Sequence, residues 1–143
     1  MSRRNSTHRL MDIKEYCEEA SKTAVYEHSV DDFIDGIAQL AHDGLNPPDE
    51  FRQTLSFMYA SLGLAGESGE IANKAKKIIR DDGGVISDEK KAQFEKELGD
   101  VLWYWSECVR VLGLDPESVM RANIEKLKSR ADRGTLAGEG DNR

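Results

Sequence analysis

Two short acidic pairs stand out for the chemistry they would support. Glu67 and Glu70 lie three residues apart in GLAGESGE, and Glu97 and Asp100 lie three apart in ELGDVLWYW. Residues three apart on a helix share a face. With Glu67 set at 0°, Phe57, Ala60, Leu64, Ile71, Ala75, Ile78 and Ile79 fall at about 20–120°, an apolar arc with Glu67 at its edge. Around Glu97, Phe94, Val101, Trp105, Cys108 and Leu112 form a matching arc, widened by Leu98, Leu102 and Val109. If the two helices pack antiparallel, as a short connection favours, four carboxylates converge at one rim. Converging anions repel unless a cation joins them, and an all-oxygen ligand set suits a hard ion, Mg2+ or Mn2+. One such pair alone is ordinarily a solvated face; its repetition at two core edges favours metal. No histidine follows a glutamate by three residues, which sets aside a di-iron centre of the Glu-x-x-His type.

Cations accompany the acids. Lys74 and Lys77 fall on the side of Glu67 and Glu70. In NIEKLKSR, residues 123 to 130, Asn123, Lys126 and Arg130 share a face, which Arg133 joins if the helix continues. Met120, Ile124 and Leu127 form the apolar arc beside it. A basic face near a helix C-terminus is favoured by the helix dipole alone; beside a metal site it becomes a clamp for phosphate oxygens. Trp103 falls on the polar side of its helix, which suits a subunit contact or a stacking surface for a base. Cys108 reads as a packed, inert thiol. Gly63, Gly66 and Gly69 form a stripe beside the acidic edge, each costing a helix roughly 1 kcal/mol against alanine. Close approach of another helix, or of a ligand, to the backbone accounts for them.

The elements that must position these groups are helices; strand patterns are almost absent. The first segment spans about Leu10 to Val25 and the second about Asp31 to Ala41. The third starts after Pro47-Pro48, near Asp49, and reaches about Arg80, where DDGG ends it. The fourth runs from Ser87, an N-cap, to Leu112, with Gly113 as a stop. The fifth has Asp115 as N-cap and Pro116 at its first position, and runs to about Asp132. The expectation is an all-α bundle of about five helices forming a single domain over 1–143. Residues 1–9 and 133–143 read as tails.

The 143 residues suffice for one domain with a core. A net charge of −7 argues against a general nucleic-acid or anionic-membrane binder. No apolar run is long enough to span a membrane, and the basic N-terminus has no apolar stretch behind it. Two unpaired cysteines, Cys17 and Cys108, suggest a reducing, cytoplasmic setting.

Taken together, LGLAGESGE, KKIIRDDGG, ELGDVLWYW and NIEKLKSR resemble, in order and spacing, the MazG-like nucleotide pyrophosphohydrolases of the all-α NTP pyrophosphatase group. The likeness covers residues 57 to 130 well and 10 to 26 more loosely. Residues 27–56 look like an insertion, and the C-terminus lacks the Arg-Arg-Tyr-Pro ending of longer members. The resemblance implies Mg2+-dependent hydrolysis of a (deoxy)nucleoside triphosphate to the monophosphate and pyrophosphate. Glu67, Glu70, Glu97 and Asp100 would hold metal and a water for attack at the α-phosphorus. Lys74, Lys77, Lys126 and Arg130 would neutralise the phosphates, and Asn123 would orient phosphate or sugar. It also implies a homo-oligomer, dimer or tetramer, in which helix pairs from two chains complete a four-helix core. A dUTPase, a dCTPase and a phosphoribosyl-ATP pyrophosphatase remain alternatives within the group, and a non-catalytic nucleotide-sensing module outside it.

Overall fold

The computed structural model describes residues 11–40 and 48–135 and is all-α. Five helices follow in order: α1 (Ile13–Ser21), α2 (Tyr26–Leu40), α3 (Asp49–Asp81), α4 (Asp88–Val111) and α5 (Pro116–Asp132). The expected caps are in place. Ser87 Oγ accepts from the Lys90 backbone N–H at 3.2 Å, and Asp115 accepts from that of Ser118 at 3.0 Å. The first two helices differ from expectation. The segment read as one helix to Val25 stops at Ser21, and α2 starts at Tyr26 rather than Asp31. Thr23 explains the break: its hydroxyl donates to the Ala20 carbonyl at 2.7 Å, closing a turn between α1 and α2. Most of the tail segments 1–9 and 133–143 lies outside the described residues; Arg133 to Thr135 close α5, with the Thr135 N–H on the Arg130 carbonyl at 2.9 Å.

Helices α3 and α4 form an antiparallel hairpin. Its contacts run in opposite directions along the two helices, from Lys90 with Asp82 at 3.2 Å, through Lys74 with Glu97 at 2.8 Å, to Gln53 with the Val111 carbonyl at 2.7 Å. The connection is short because Gly83 and Gly84 take φ of 60° and 81°, values costly for a residue with a Cβ. Midway, α3 comes so close to α4 that a Cβ on Gly63 would lie 2.1 Å from the Tyr104 ring. Among the described residues Gly63 is the member of the glycine stripe that meets a neighbour; a Cβ on Gly66 or Gly69 would meet none of them within 4 Å.

Helix α2 lies on α3 and reaches α4. Its stripe of Tyr26, Val30 and Ile34 is buried, with Leu55 of α3 and Trp103 of α4 packed against it. The Tyr26 ring stacks on Tyr59 at 4.7 Å. Its hydroxyl donates to Glu107 Oε2 at 2.9 Å, and Glu107 has no exposed surface. Arg110 makes that burial possible: its Nη2 lies 2.9 Å from the same oxygen and 2.5 Å from Glu27 of α2. The Arg110 guanidinium is held more firmly protonated, first by its hydrogen bond to Glu107. On the other side α1 packs on α4. Helix α5 is fastened to α1 through Lys14, which lies 3.2 Å from Glu117 and 3.5 Å from Asp115. Residues 27–56, read as an insertion, thus include Val30 and Ile34 of the core and the first turns of α3.

Periodicity misplaced some apolar residues. Ile79 is 79% exposed, Leu98 56% and Leu112 45%, and Ala75 is exposed too. Each lies on an expected apolar arc, at a position that the described helices leave exposed.

The glycines give a direct stability test. Gly66→Ala should stabilise by up to about 1 kcal/mol in urea unfolding, because it gains helix propensity in open space. Gly63→Ala should destabilise by about 1–3 kcal/mol, the cost of overpacking against Tyr104. Equal effects at the two positions would contradict the packing described.

Candidate functional site

The hairpin brings three of the four expected carboxylates together. One oxygen each from Glu67, Glu97 and Asp100 all lie within 4.8 Å of one another. The antiparallel register causes this: Glu67 and Lys74 are two turns apart on α3, and Glu97 and Asp100 face them from α4. Glu70 stands just outside. Its exposed carboxylate lies 3.6 Å from Lys74 Nζ, which in turn donates to Glu97 Oε1 at 2.8 Å. One ammonium thus serves two acids.

The electrostatics record the crowding. Glu67 is held above the usual carboxylate range, first by desolvation, then by Asp100, Glu97 and Glu70 as like charges, with Lys74 opposing. Lys74 is raised in turn, first by its hydrogen bond to Glu97. A cluster of oxygens that repel one another, with too little positive charge among them, fits a hard divalent cation. An ion there would take carboxylate oxygens from Glu67, Glu97 and Asp100. Mg2+ ordinarily keeps several waters beside such ligands.

Glu67 and Asp100 open into a cleft of about 370 Å3 whose other lining residues are Thr23, Trp103 and Tyr104. Tyr104 is raised above the ordinary phenol value, first by burial and then by the charges of Tyr59, Glu67 and Asp100. Its hydroxyl therefore stays a proton donor at neutral pH. Reading the acidic pairs alone missed Tyr104, although it follows Asp100 by four residues and so shares its face. Trp103 is turned into its own chain rather than outward: its indole N–H donates to Thr23 Oγ1 at 2.7 Å.

The other expected ligand-binding residues lie elsewhere. Lys77 acts on Asp81, which Arg80 chiefly holds below the carboxylate range, with Lys77 and Lys90 contributing. Asn123 and Lys126 border a larger groove, about 730 Å3, between α1, α4 and α5, together with Ile13, Leu102, Trp105 and Met120. Arg130 is half-buried near the end of α5. The larger groove is mainly apolar and has no carboxylate in its lining, so the smaller acid cleft is the candidate centre for chemistry on phosphates.

The antiparallel helices of this all-α chain thus bring one carboxylate from each, Glu67 of α3 and Asp100 of α4, to one cleft. The profile of the MazG nucleotide pyrophosphohydrolase domain matches residues 56–135, a stretch that contains the hairpin from Ser56 onward and all of α5. The chain belongs to that family. It is also 40% identical over 134 residues to the gene 37 protein of Mycobacterium phage L5, covering 93% of this chain and 100% of that one. No solved structure gives a significant match. Among the described residues no helix is long and apolar enough to cross a membrane.

The raised Glu67 predicts an opposite response to pH and to metal. The folded chain holds the Glu67 proton more tightly than the unfolded chain. Without divalent cation, its contribution to stability therefore falls as pH rises from the ordinary carboxylate range through the folded value. Melting curves of wild type minus Glu67→Gln should show that fall. At neutral pH, Mg2+ at 100 times its dissociation constant should add about 2.7 kcal/mol of stability. No thermal shift with either Mg2+ or Mn2+ would exclude a metal site at these carboxylates.

Proposed function

We propose that the protein hydrolyses (deoxy)nucleoside triphosphates to the monophosphate and pyrophosphate, with Mg2+ or Mn2+ held by Glu67, Glu97 and Asp100. The observation that carries this reading is the convergence of those three carboxylates from two helices of a MazG-family chain. A divalent ion held there would supply positive charge to the phosphate oxygens and acidify a water for attack. Glu70, outside the triad and open to solvent, receives the proton of the attacking water on its carboxylate. The water oxygen bonds to the α-phosphorus, the bridge to the β-phosphorus breaks, and pyrophosphate leaves with the bonding electrons. Lys74, already held between Glu70 and Glu97, balances the negative charge that grows during this step. The Tyr104 hydroxyl donates to a phosphate oxygen from the cleft wall.

Oligomerisation belongs to the same reading. Leu98, Leu102, Met120, Ile124 and Leu127 are each 37–56% exposed on α4 and α5. A second copy covering them would bury this surface and bring further helices toward the cleft. Asn123, Lys126 and Arg130, with Lys77 as an outlying cation, would meet the phosphate chain in the closed assembly rather than in the isolated chain.

A pyrophosphate-release assay over ribo- and deoxynucleoside triphosphates and phosphoribosyl-ATP, with Mg2+ and with Mn2+, tests the activity. Turnover of at least one is expected; none at all would leave a binding module. The roles separate by substitution. Asp100→Asn should lose both activity and the Mg2+ thermal shift. Glu70→Gln should keep the shift while its rate falls about 10²–10⁴-fold, the contribution of a general base. Light scattering should return a dimer or a tetramer, and a monomer at assay concentration would overturn the assembly.

A further inference from the structure

Beside the carboxylates the lining of the acid cleft is aromatic, Trp103 and Tyr104, and holding a cation does not call for it. Three contacts fix the Trp103 ring there. Its N–H is bonded to Thr23 Oγ1 at 2.7 Å, and the ring meets Tyr26 at 6.3 Å and Tyr104 at 4.8 Å, both edge to face. Each support is itself fixed. The Thr23 hydroxyl has given its proton to the Ala20 carbonyl at 2.7 Å, so toward the indole it can only accept. Tyr26 is 3% exposed and bound to the buried Glu107, whose charge Arg110 balances. A chain of directed contacts thus runs from the core through Tyr26 to Trp103, and ends beside Glu67 and Asp100.

Such a wall is preorganised: the ring's orientation is settled before any ligand arrives. The cleft it shares with the carboxylates, about 370 Å3, lies within the roughly 300–1,000 Å3 of small-molecule sites. Its lining groups ask for different things. The carboxylates suit anionic oxygens bridged by a cation, and the indole suits a flat ring system. A ligand carrying both is a nucleoside phosphate.

We propose that Trp103, held by Thr23, is the nucleoside-recognition wall of this site, so that the turn between α1 and α2 sets which nucleotide is accepted. This rests on the nucleotide reading above. It places the choice of base on the α1–α2 turn with the indole it fastens.

The test uses ligands that need no turnover. Nucleoside monophosphates of each base and inorganic pyrophosphate are titrated calorimetrically into the full chain with Mg2+. Trp103→Ala should weaken the best monophosphate by about 5- to 150-fold, the worth of one base–aromatic stack. Pyrophosphate, which has no ring, should bind as before, and Trp103→Phe should restore most of the loss. If Trp103→Ala fails to fold, Thr23→Ala takes its place. Releasing the indole should cost monophosphate binding about 2- to 12-fold, the range of one net hydrogen bond, again with pyrophosphate unaffected. Equal weakening of both ligands, or of neither, overturns the wall. A wild type that binds monophosphates with this dependence but releases no pyrophosphate from triphosphates refutes hydrolysis and leaves the wall standing. A wild type that hydrolyses triphosphates while its Trp103 variants bind monophosphates normally does the reverse. Failure to bind any nucleotide removes both.

Discussion

Like-charge repulsion between Glu67, Glu97 and Asp100 is the constraint on which the arrangement turns. Three carboxylate oxygens within 4.8 Å do not stay together by themselves, and Lys74 offsets only part of their charge. The rest of the cost is met by helix packing. Helices α3 and α4 are clasped at both ends, by Asp82 with Lys90 and by Gln53 with the Val111 carbonyl, and between these they approach closely enough that a Cβ on Gly63 would press on the Tyr104 ring. A hairpin that already holds acids at such a distance would need little reorganisation to take a cation.

A second charged group plays the opposite role. Glu107 is fully buried, yet it is satisfied: Tyr26 donates to it, and Arg110 lies against it and against Glu27. Burying an ion pair of this kind adds little net stability, but losing one partner is costly, so the network favours a single docking position for α2. That position sets Tyr26, Tyr26 abuts Trp103, and Trp103 stands in the wall of the acid cleft. The core and the site are therefore mechanically continuous, and the α1–α2 turn belongs to both.

Much of the candidate site was legible from spacing. Acidic pairs three apart at the edges of two apolar arcs implied a shared rim once the helices were paired, and Glu67, Glu97 and Asp100 do share one. Caps at Ser87 and Asp115 marked two helix starts for local reasons, since a side-chain oxygen near a free N–H acts within one turn. Other features were hidden because helical angle gives a face but not its neighbour. Ile79 and Leu98 lay on expected core arcs, yet among the described residues they are exposed. Trp103 lay on the polar side, yet α2 and the α1–α2 turn come to meet it. Glu107 and Arg110, three apart, have the spacing of an ordinary solvated pair; only the arrival of Tyr26 from far along the chain makes the glutamate a buried one.

The sequence by itself determined the all-α class, the hairpin with its Gly83-Gly84 turn, the acidic pairs and the family they mark, because each depends on interactions within a few residues or on strict helical periodicity. The tertiary structure alone decided which acids form the tight triad and which one stands aside. It also decided that Gly63 rather than Gly66 or Gly69 carries the close approach, and that an aromatic wall built from two helices and a turn stands beside the carboxylates. These depend on the rotation and offset of one helix against another. Shifts of an ångström or two there change every distance in the cleft, while the pattern of residues along the chain stays the same.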